Sequence, residues 1–210
     1  MNVPLRLTTL ISGGGRTVCN LQEAIRRGDV HAKITQVIAS REDCPGIERA
    51  RALGLDVQVP DATAYDDDLV RLITSSQADI ICLCGYLRML RLQPEWRGRV
   101  INIHPALLPR HGGQGMYGER VHQSVLSAGD RISGCTVHFV DEEYDHGPIL
   151  LQRSCPVCQD DTPSTLADRV FQEECLCLPE AVQLLAEHRV KLVDGDVEIL
   201  PPLPISPSDV

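Results

Sequence analysis

Apolar runs of strand length alternate with amphipathic segments of helix length over the first hundred residues. The strand-like runs cover residues 5–11, 32–40, 55–60, 78–85 and 99–104, and the helical patterns cover 21–28, 45–54 and 64–77. Strands that alternate with helices at this spacing predict right-handed crossovers and a parallel sheet with helices on both faces. We therefore expect an α/β protein with a doubly wound, mainly parallel, Rossmann-like sheet.

The pattern changes after about residue 110. A glycine-rich loop leads to a helical segment at 119–128, and residues 134–141 and 148–157 then predict two neighbouring strands. These strands are expected to form an antiparallel C-terminal extension of the sheet. A long helix from Thr162 to His188, broken at Pro179, and a hairpin over 190–200 complete the prediction.

The length of 210 residues favours one domain over several. We predict a single domain over residues 1–200, divided into halves at 1–100 and 101–200. Residues 201–210 contain four prolines and are expected to form an extended, poorly ordered tail.

Charge and cysteine content narrow the functional classes. A net charge of -9 argues against affinity gained by neutralising nucleic-acid phosphates. The chain begins without a basic region and long apolar core, and its longest near-apolar run, residues 80–87, is too short to span a bilayer. Nine cysteines then fit a reducing compartment with free thiols, and the single CxxC, Cys155 and Cys158, lacks a partner pair for zinc. We expect a cytoplasmic protein that uses no metal.

Two polar residues interrupt the buried strand at 99–104. Asn102 and His104 are two residues apart, so they share one face of the strand, and Pro105 marks where it ends. The carboxyl ends of strands are where open α/β sheets bind ligands. The alternative is a pair of buried polar groups satisfied by the backbone.

Glycines follow the first predicted strand in the segment SGGGR. Between a strand and a helix they would let backbone N–H groups approach an anion, which predicts a phosphate site at Gly13, Gly14, Gly15, Arg16 and Asn20. A tight turn that requires positive φ is the alternative. A G-x-G-x-x-G pattern at 113–118 is not preceded by a strand, so it supports dinucleotide binding only weakly. That loop is either a lid or a surface connection.

Charged residues follow two further predicted strands. Most acidic runs such as 141–145 are solvated loops, but Asp145 lies in a tight connection, where its carboxylate could pair with an imidazolium. Arg88 follows the fourth strand at the same edge of the sheet and could bind an anion.

Five segments together, LISGGG, GYLRML, INIHPALLPR, GCTVHFVDEEYDHGPILLQ and QEECLCLPE, resemble the formyltetrahydrofolate-dependent formyltransferases. The resemblance spans residues 5–200 and is strongest to the members that formylate glycinamide ribonucleotide in de novo purine biosynthesis. It implies small-molecule partners only, with 10-formyltetrahydrofolate as formyl donor, and a monomer or homodimer.

The resemblance also implies roles for individual residues. Asn102, His104 and Asp145 would be the catalytic trio: an amide and a protonated imidazole stabilise the oxyanion, while Asp145 keeps the imidazole oriented and charged. Residues 1–100 would form the phosphate-binding half, and residues 101–200 the half that binds folate and carries the trio. The implied acceptor-binding residues are Gly13, Gly14, Gly15, Arg16, Asn20, Gly85, Pro105 and Glu174. The implied folate-binding residues are Arg88, Met89, Leu90, Val140, Asp141 and Asp145.

The sequence departs from the family pattern at two places, and three alternative functions stay open. RTVC separates the glycines from NLQ, and the loop GGQGMYGER is longer than the commonest form. The enzyme alternatives are a formyltransferase with another amine acceptor and a formyltetrahydrofolate hydrolase. A nucleotide-sensing module without turnover is the third, which the intact trio disfavours.

Overall fold

The computed structural model describes residues 3–202. Nine strands form a seven-stranded sheet and a separate two-stranded hairpin, and five α-helices connect them. The strands are β1 Leu5–Ile11, β2 Ala32–Ala39, β3 Val57–Gln58, β4 Ile80–Leu83, β5 Val100–His104, β6 Ile132–Phe139, β7 Ile149–Pro156, β8 Val190–Val193 and β9 Asp196–Ile199. The helices are α1 Arg16–Arg27, α2 Gly46–Ala52, α3 Tyr65–Ser75, α4 Glu119–Ser127 and α5 Pro163–Ala186.

The large sheet has the strand order β3-β2-β1-β4-β5-β6-β7. The first five strands in sequence pair in parallel, whereas β6 runs antiparallel to β5 and β7 antiparallel to β6. The predicted fold class, including its antiparallel extension, is confirmed. The order reverses between β1 and β4, so their carboxyl ends open a crevice of the kind that binds ligands in α/β proteins.

Alternate residues of the central strands enter two cores, one on each face of the sheet. Leu7 and Ile11 of β1 pack in the core that includes side chains of α1, α2 and α5, whereas Leu10 packs in the core that includes α3 and Trp96. Strands buried on both faces explain why their sequences read as continuous apolar runs rather than alternating ones.

Several predicted boundaries were wrong. Helix α1 begins at Arg16, directly after Gly15 in the left-handed conformation, and not at residue 21 as the helical pattern predicts. Strand β3 has two residues instead of six, while the hairpin β8–β9 is confirmed. The predicted disordered tail lies largely in 203–210, outside the described residues.

The predicted break at Pro179 was also wrong, because α5 continues through it. Proline has no N–H to give to the carbonyl four residues earlier, which here belongs to Cys175. The side chain of Asn20 on α1 supplies the missing donor: its Nδ2 lies 2.9 Å from the Cys175 oxygen. A contact between two helices therefore replaces a hydrogen bond within one.

Candidate active site

A cavity of about 430 Å³ opens at the carboxyl ends of β4 and β5. Asn102 and His104 on β5, and His138 opposite Asn102 on β6, form its floor. The loops after β4, β5 and β6 form its walls, and Thr17 and Glu174 close the side next to α1 and α5. Both halves of the chain contribute to this one cavity.

The structure brings the three predicted catalytic side chains into contact. The Asp145 carboxylate lies between the other two: Oδ2 is 3.4 Å from His104 Nδ1, and Oδ1 is 3.3 Å from Asn102 Nδ2. His104 is buried, and the Asp145 side chain is only 10% exposed. The i and i+2 positions on β5 thus meet one carboxylate from a loop more than 40 residues away.

His138 fixes the orientation of the Asn102 amide. The Nδ1 of His138 lies 2.8 Å from the Phe139 carbonyl oxygen, so a neutral ring carries its hydrogen there and accepts at Nε2. Asn102 Nδ2 lies 3.1 Å from that Nε2. Because His138 and Asp145 both accept, the NH₂ group of Asn102 faces them, and the 3.3 Å contact to Asp145 is the longer of the two.

Burial and charge act in opposite directions on His104 and Asp145. Burial lowers the pKa of His104, and the Asp145 carboxylate and the His111 carbonyl offset only part of that effect. Burial alone would raise the pKa of Asp145, but the hydrogen bond and positive charge that His138 and His104 supply when protonated, together with the Gly113 N–H, leave that pKa below the usual value. The charged imidazole expected from the sequence is therefore disfavoured here, while the carboxylate is ionised.

The loop after β5 is hydrogen-bonded to Asp145. Gly113 donates its N–H to Asp145 Oδ2 at 3.0 Å. A Cβ at Gly112 would lie 2.5 Å from Leu108 Cδ2 and 3.0 Å from the Asp145 Cβ, so a side chain there would displace Leu108 and crowd Asp145. Gly112 therefore contributes to the packing around Asp145.

The predicted phosphate turn lies beside the cavity, at the start of α1. Gly13 accepts from the Gly46 N–H at 3.0 Å, and Gly14 accepts from Arg49 Nη1 at 2.9 Å. These contacts direct the turn's carbonyl oxygens to the protein. Gly15 is the N-cap of α1, and no side chain caps the N–H groups of the first turn.

Arg16 and Asn20 point to α5 instead of into the turn. The Arg16 guanidinium lies 3.9 Å from the centre of the Phe171 ring and 3.6 Å from Asp168. Asn20 is engaged with the Cys175 carbonyl, as described above. In this structure, the side chains predicted to bind phosphate therefore contact α5 instead.

The remaining predicted ligand contacts divide between the cavity and its surroundings. Asp141 is not among the cavity residues; its carboxylate lies 2.8 Å from His146 Nδ1. Those that line the cavity are Gly85, Arg88, Met89, Leu90, Pro105, Val140 and Glu174. Burial raises the pKa of Glu174 to about 7, and Arg16 lowers it by a smaller amount.

Sequence reasoning missed several residues of the cavity. Tyr86 is one of them: its hydroxyl lies 2.9 Å from that of Tyr65, which is outside the cavity and whose ring centre is 3.7 Å from the Arg88 guanidinium. His138 is a second, and its membership of the segment GCTVHFVDEEYDHGPILLQ was the signal available from the sequence. Its position opposite Asn102 is seen only in the structure. Tyr144 and residues 113–118 line the cavity but show no periodic pattern.

Residues 5–182 match the family model described as formyl transferase, and the chain belongs to that family. It is 37% identical over 204 residues to a chloroplastic phosphoribosylglycinamide formyltransferase of Arabidopsis thaliana, a match that covers 93% of this chain and 70% of that protein. A Vigna unguiculata protein of the same name is 38% identical over 194 residues, with 88% and 62% covered, so the chain spans less than two thirds of that relative.

Solved structures agree with these relatives. The crystal structure of glycinamide ribonucleotide transformylase 1 from Symbiobacterium toebii has a TM-score of 0.86 and 36% identity, and the match covers 96% of both chains. The resemblance predicted from the sequence, and the prediction of a formyltransferase enzyme, are confirmed. No helix between residues 3 and 202 is both long and apolar enough to cross a membrane.

Proposed function

We propose that this chain transfers the formyl group of 10-formyltetrahydrofolate to the amine of glycinamide ribonucleotide, in de novo purine biosynthesis. The observation that carries the proposal is the contact of Asp145 with both Asn102 and His104 at the floor of the cavity. The relatives named for this activity support the same acceptor.

The reaction needs a negative charge to be stabilised and a proton to be moved. The amine nitrogen attacks the formyl carbon, a tetrahedral oxyanion forms, and the bond from that carbon to the folate nitrogen then breaks. The amine loses one proton in total and the folate nitrogen gains one. Hydrogen-bond donors aimed at the oxyanion are the largest expected contribution, and removal of one typically costs about 10²–10³ in turnover.

We propose that Asn102 becomes such a donor by exchanging its longer contact. Its NH₂ group faces His138 at 3.1 Å and Asp145 at 3.3 Å, and the second contact is the weaker by distance. A small rotation of the amide would give that hydrogen to the oxyanion. Catalytic hydrogen bonds that are long in a free enzyme often tighten only in the complex.

We propose that His104 acts as a proton carrier rather than as a permanent cation. Burial lowers its pKa, so the ring is neutral until it receives a proton, and Asp145 then stabilises the imidazolium. The charge would form at the moment when the oxyanion also forms. The Asp145 carboxylate, with its lowered pKa, stays available to the ring throughout.

The remaining cavity residues suit the two substrates. The first turn of α1 beside Gly13–Gly15 offers N–H groups and a helix dipole to the acceptor's phosphate, and Glu174 offers its carboxyl to the ribose. Leu90 and Val140 provide apolar walls for the pterin, and Arg88 could pair with the folate's glutamate carboxylate. We further propose a cytoplasmic monomer or homodimer that uses neither metal nor nucleic acid.

An acceptor screen tests the proposal. The purified protein is incubated with 10-formyltetrahydrofolate labelled in the formyl group, either alone or with glycinamide ribonucleotide, methionyl-tRNA or an amino sugar nucleotide. We expect label on glycinamide ribonucleotide and little free formate. Label on another acceptor would establish a formyltransferase with that acceptor. Formate released equally fast with and without an acceptor would establish a formyltetrahydrofolate hydrolase.

A further inference from the structure

The carbonyl of His111 controls the side of His104 that faces away from Asp145. His104 Nε2 lies 2.9 Å from the His111 oxygen. The ring lies between two acceptors, and the His111 oxygen is closer to Nε2 than Asp145 Oδ2 is to Nδ1, at 2.9 Å against 3.4 Å. The hydrogen of a neutral His104 ring therefore lies on Nε2, and the lone pair of Nδ1 is on the side of Asp145. The position of this single oxygen therefore sets both the tautomer and the direction of the ring.

The His111 backbone adopts an unusual conformation to place that oxygen. Its φ is +58°, in the left-handed region that non-glycine residues seldom adopt. Such a conformation is unfavourable for a residue with a side chain and persists where the surroundings enforce it.

The His111 side chain supplies that enforcement. Its Nε2 lies 2.8 Å from Asp130 Oδ2, and its Nδ1 lies 2.9 Å from Ser124 Oγ on α4. The ring is 10% exposed and the Asp130 side chain 16%. Arg110 contacts the other carboxylate oxygen of Asp130 at 2.8 Å, so the carboxylate is held from both sides. The hydrogen bond from His111 is the largest cause of a lowered pKa at Asp130.

We propose that His111 is a positioning residue, which acts through its own backbone carbonyl on His104. Its side chain anchors the turn after β5 to α4 and to Asp130, and the anchored carbonyl directs Nδ1 of His104 to Asp145. This inference rests on the proposed role of His104 in formyl transfer. The His111 ring itself does not face the reacting atoms, because its two nitrogens contact Ser124 and Asp130.

The test replaces the anchoring groups and keeps the substrates' own contacts. His111→Phe keeps an aromatic ring and loses both hydrogen bonds, and Asp130→Ala removes the main acceptor. Asp130→Asn retains an oxygen that can accept from the His111 ring, so it should rescue most of the effect. His188→Phe is the matched control, because His188 is an exposed histidine with φ of +54° at the end of α5.

We expect His111→Phe and Asp130→Ala to lower kcat by about 10- to 100-fold, with KM for both substrates changed only a few-fold. Nitrogen-15 NMR of His104 should show the Nε2–H tautomer in the parent protein and a mixture in these variants. The His188→Phe and Asp130→Asn proteins should resemble the parent in both measurements.

The pH profile provides a third measurement. The titratable groups around His104 are Asp145, His138, His111 and His122, and those around His111 are Asp130 and Arg110. Since the His111 carbonyl favours the charged form of His104, its displacement should lower the pKa of His104 and move the corresponding limb of the pH–rate profile to lower pH.

An unchanged His104 tautomer in both His111→Phe and Asp130→Ala would overturn the proposal, whatever happens to kcat. If His111→Phe does not fold, Asp130→Ala and Ser124→Ala provide the same measurements. The NMR experiment needs no substrate, so its result separates failure of this inference from failure of the proposed acceptor.

Discussion

Asn20 makes a specific and measurable contribution to stability in this structure. Its Nδ2 donates to the Cys175 carbonyl, to which residue 179 of α5 cannot donate because it is a proline. A partly buried carbonyl that loses a donor costs about 1–2 kcal/mol. Asn20→Ala should therefore lower the free energy of unfolding by about that amount, less about 0.5 kcal/mol for the better helix propensity of alanine.

The replacement of Pro179 changes this expectation. In Pro179→Ala, residue 179 has an N–H that can reach the Cys175 carbonyl as in an ordinary helix. Asn20→Ala should then cost at least 1 kcal/mol less than it costs in the parent background. The side-chain packing lost with the proline ring cancels when the four proteins are compared as a double-mutant cycle.

Equilibrium unfolding in urea, followed by circular dichroism, measures the four free energies. Equal costs of Asn20→Ala in the two backgrounds would refute the account of how α5 passes through Pro179. The same proteins also test the phosphate role that the resemblance implies for Asn20. If that role holds, Asn20→Ala raises KM for the acceptor in both backgrounds; if the residue only supports α5, KM stays near the parent value.

Three further perturbations examine the site. Gly112→Ala should lower both Tm and kcat, because a Cβ there overlaps Leu108 and presses on Asp145; a variant with the parent's Tm in differential scanning fluorimetry would contradict this packing. Asp145→Asn should keep its circular dichroism spectrum and lose about 10²-fold or more in kcat. It should also lower the pKa of His104 in an NMR titration, since the carboxylate raises that pKa. Because burial raises the pKa of Glu174 to about 7, the folded protein holds this proton more tightly than the unfolded chain, and stability falls as pH rises between 4.5 and 7. Glu174→Gln should remove about 1–3 kcal/mol of that fall when denaturant unfolding at pH 5 is compared with pH 8, and an equal fall in both proteins would show that Glu174 does not cause it.

Hydrophobic patterning predicted the sheet and the helices. Strands that are buried on both faces consist of long apolar runs, and the amphipathic helices between them show the helical period. Element ends were less predictable, since they depend on contacts elsewhere. Helix α1 starts at Arg16 because Gly15 adopts a left-handed conformation packed against Gly46, and three adjacent glycines do not reveal which one ends the turn. The continuation of α5 through Pro179 was unpredictable for the same reason, since the donor to the Cys175 carbonyl is Asn20 on α1.

The sequence predicted some members of the proposed catalytic trio more directly than others. Asn102 and His104 share a strand face, and the period of two residues is enough to place them together. Their contact with Asp145 came from the family resemblance, because no local rule brings a loop residue 41 positions beyond His104 to that strand. His111 had no signal of its own, since it acts through a backbone oxygen whose position depends on Asp130 and Ser124.

The most direct test of the account is the single-turnover rate of formyl transfer to glycinamide ribonucleotide by the parent protein and by His104→Ala. We predict rapid transfer by the parent, and a rate lower by about 10²-fold or more in the variant, with both substrates still bound. A variant that transfers formyl at the parent's rate would contradict the role of His104, and a parent that releases only formate would contradict the proposed reaction.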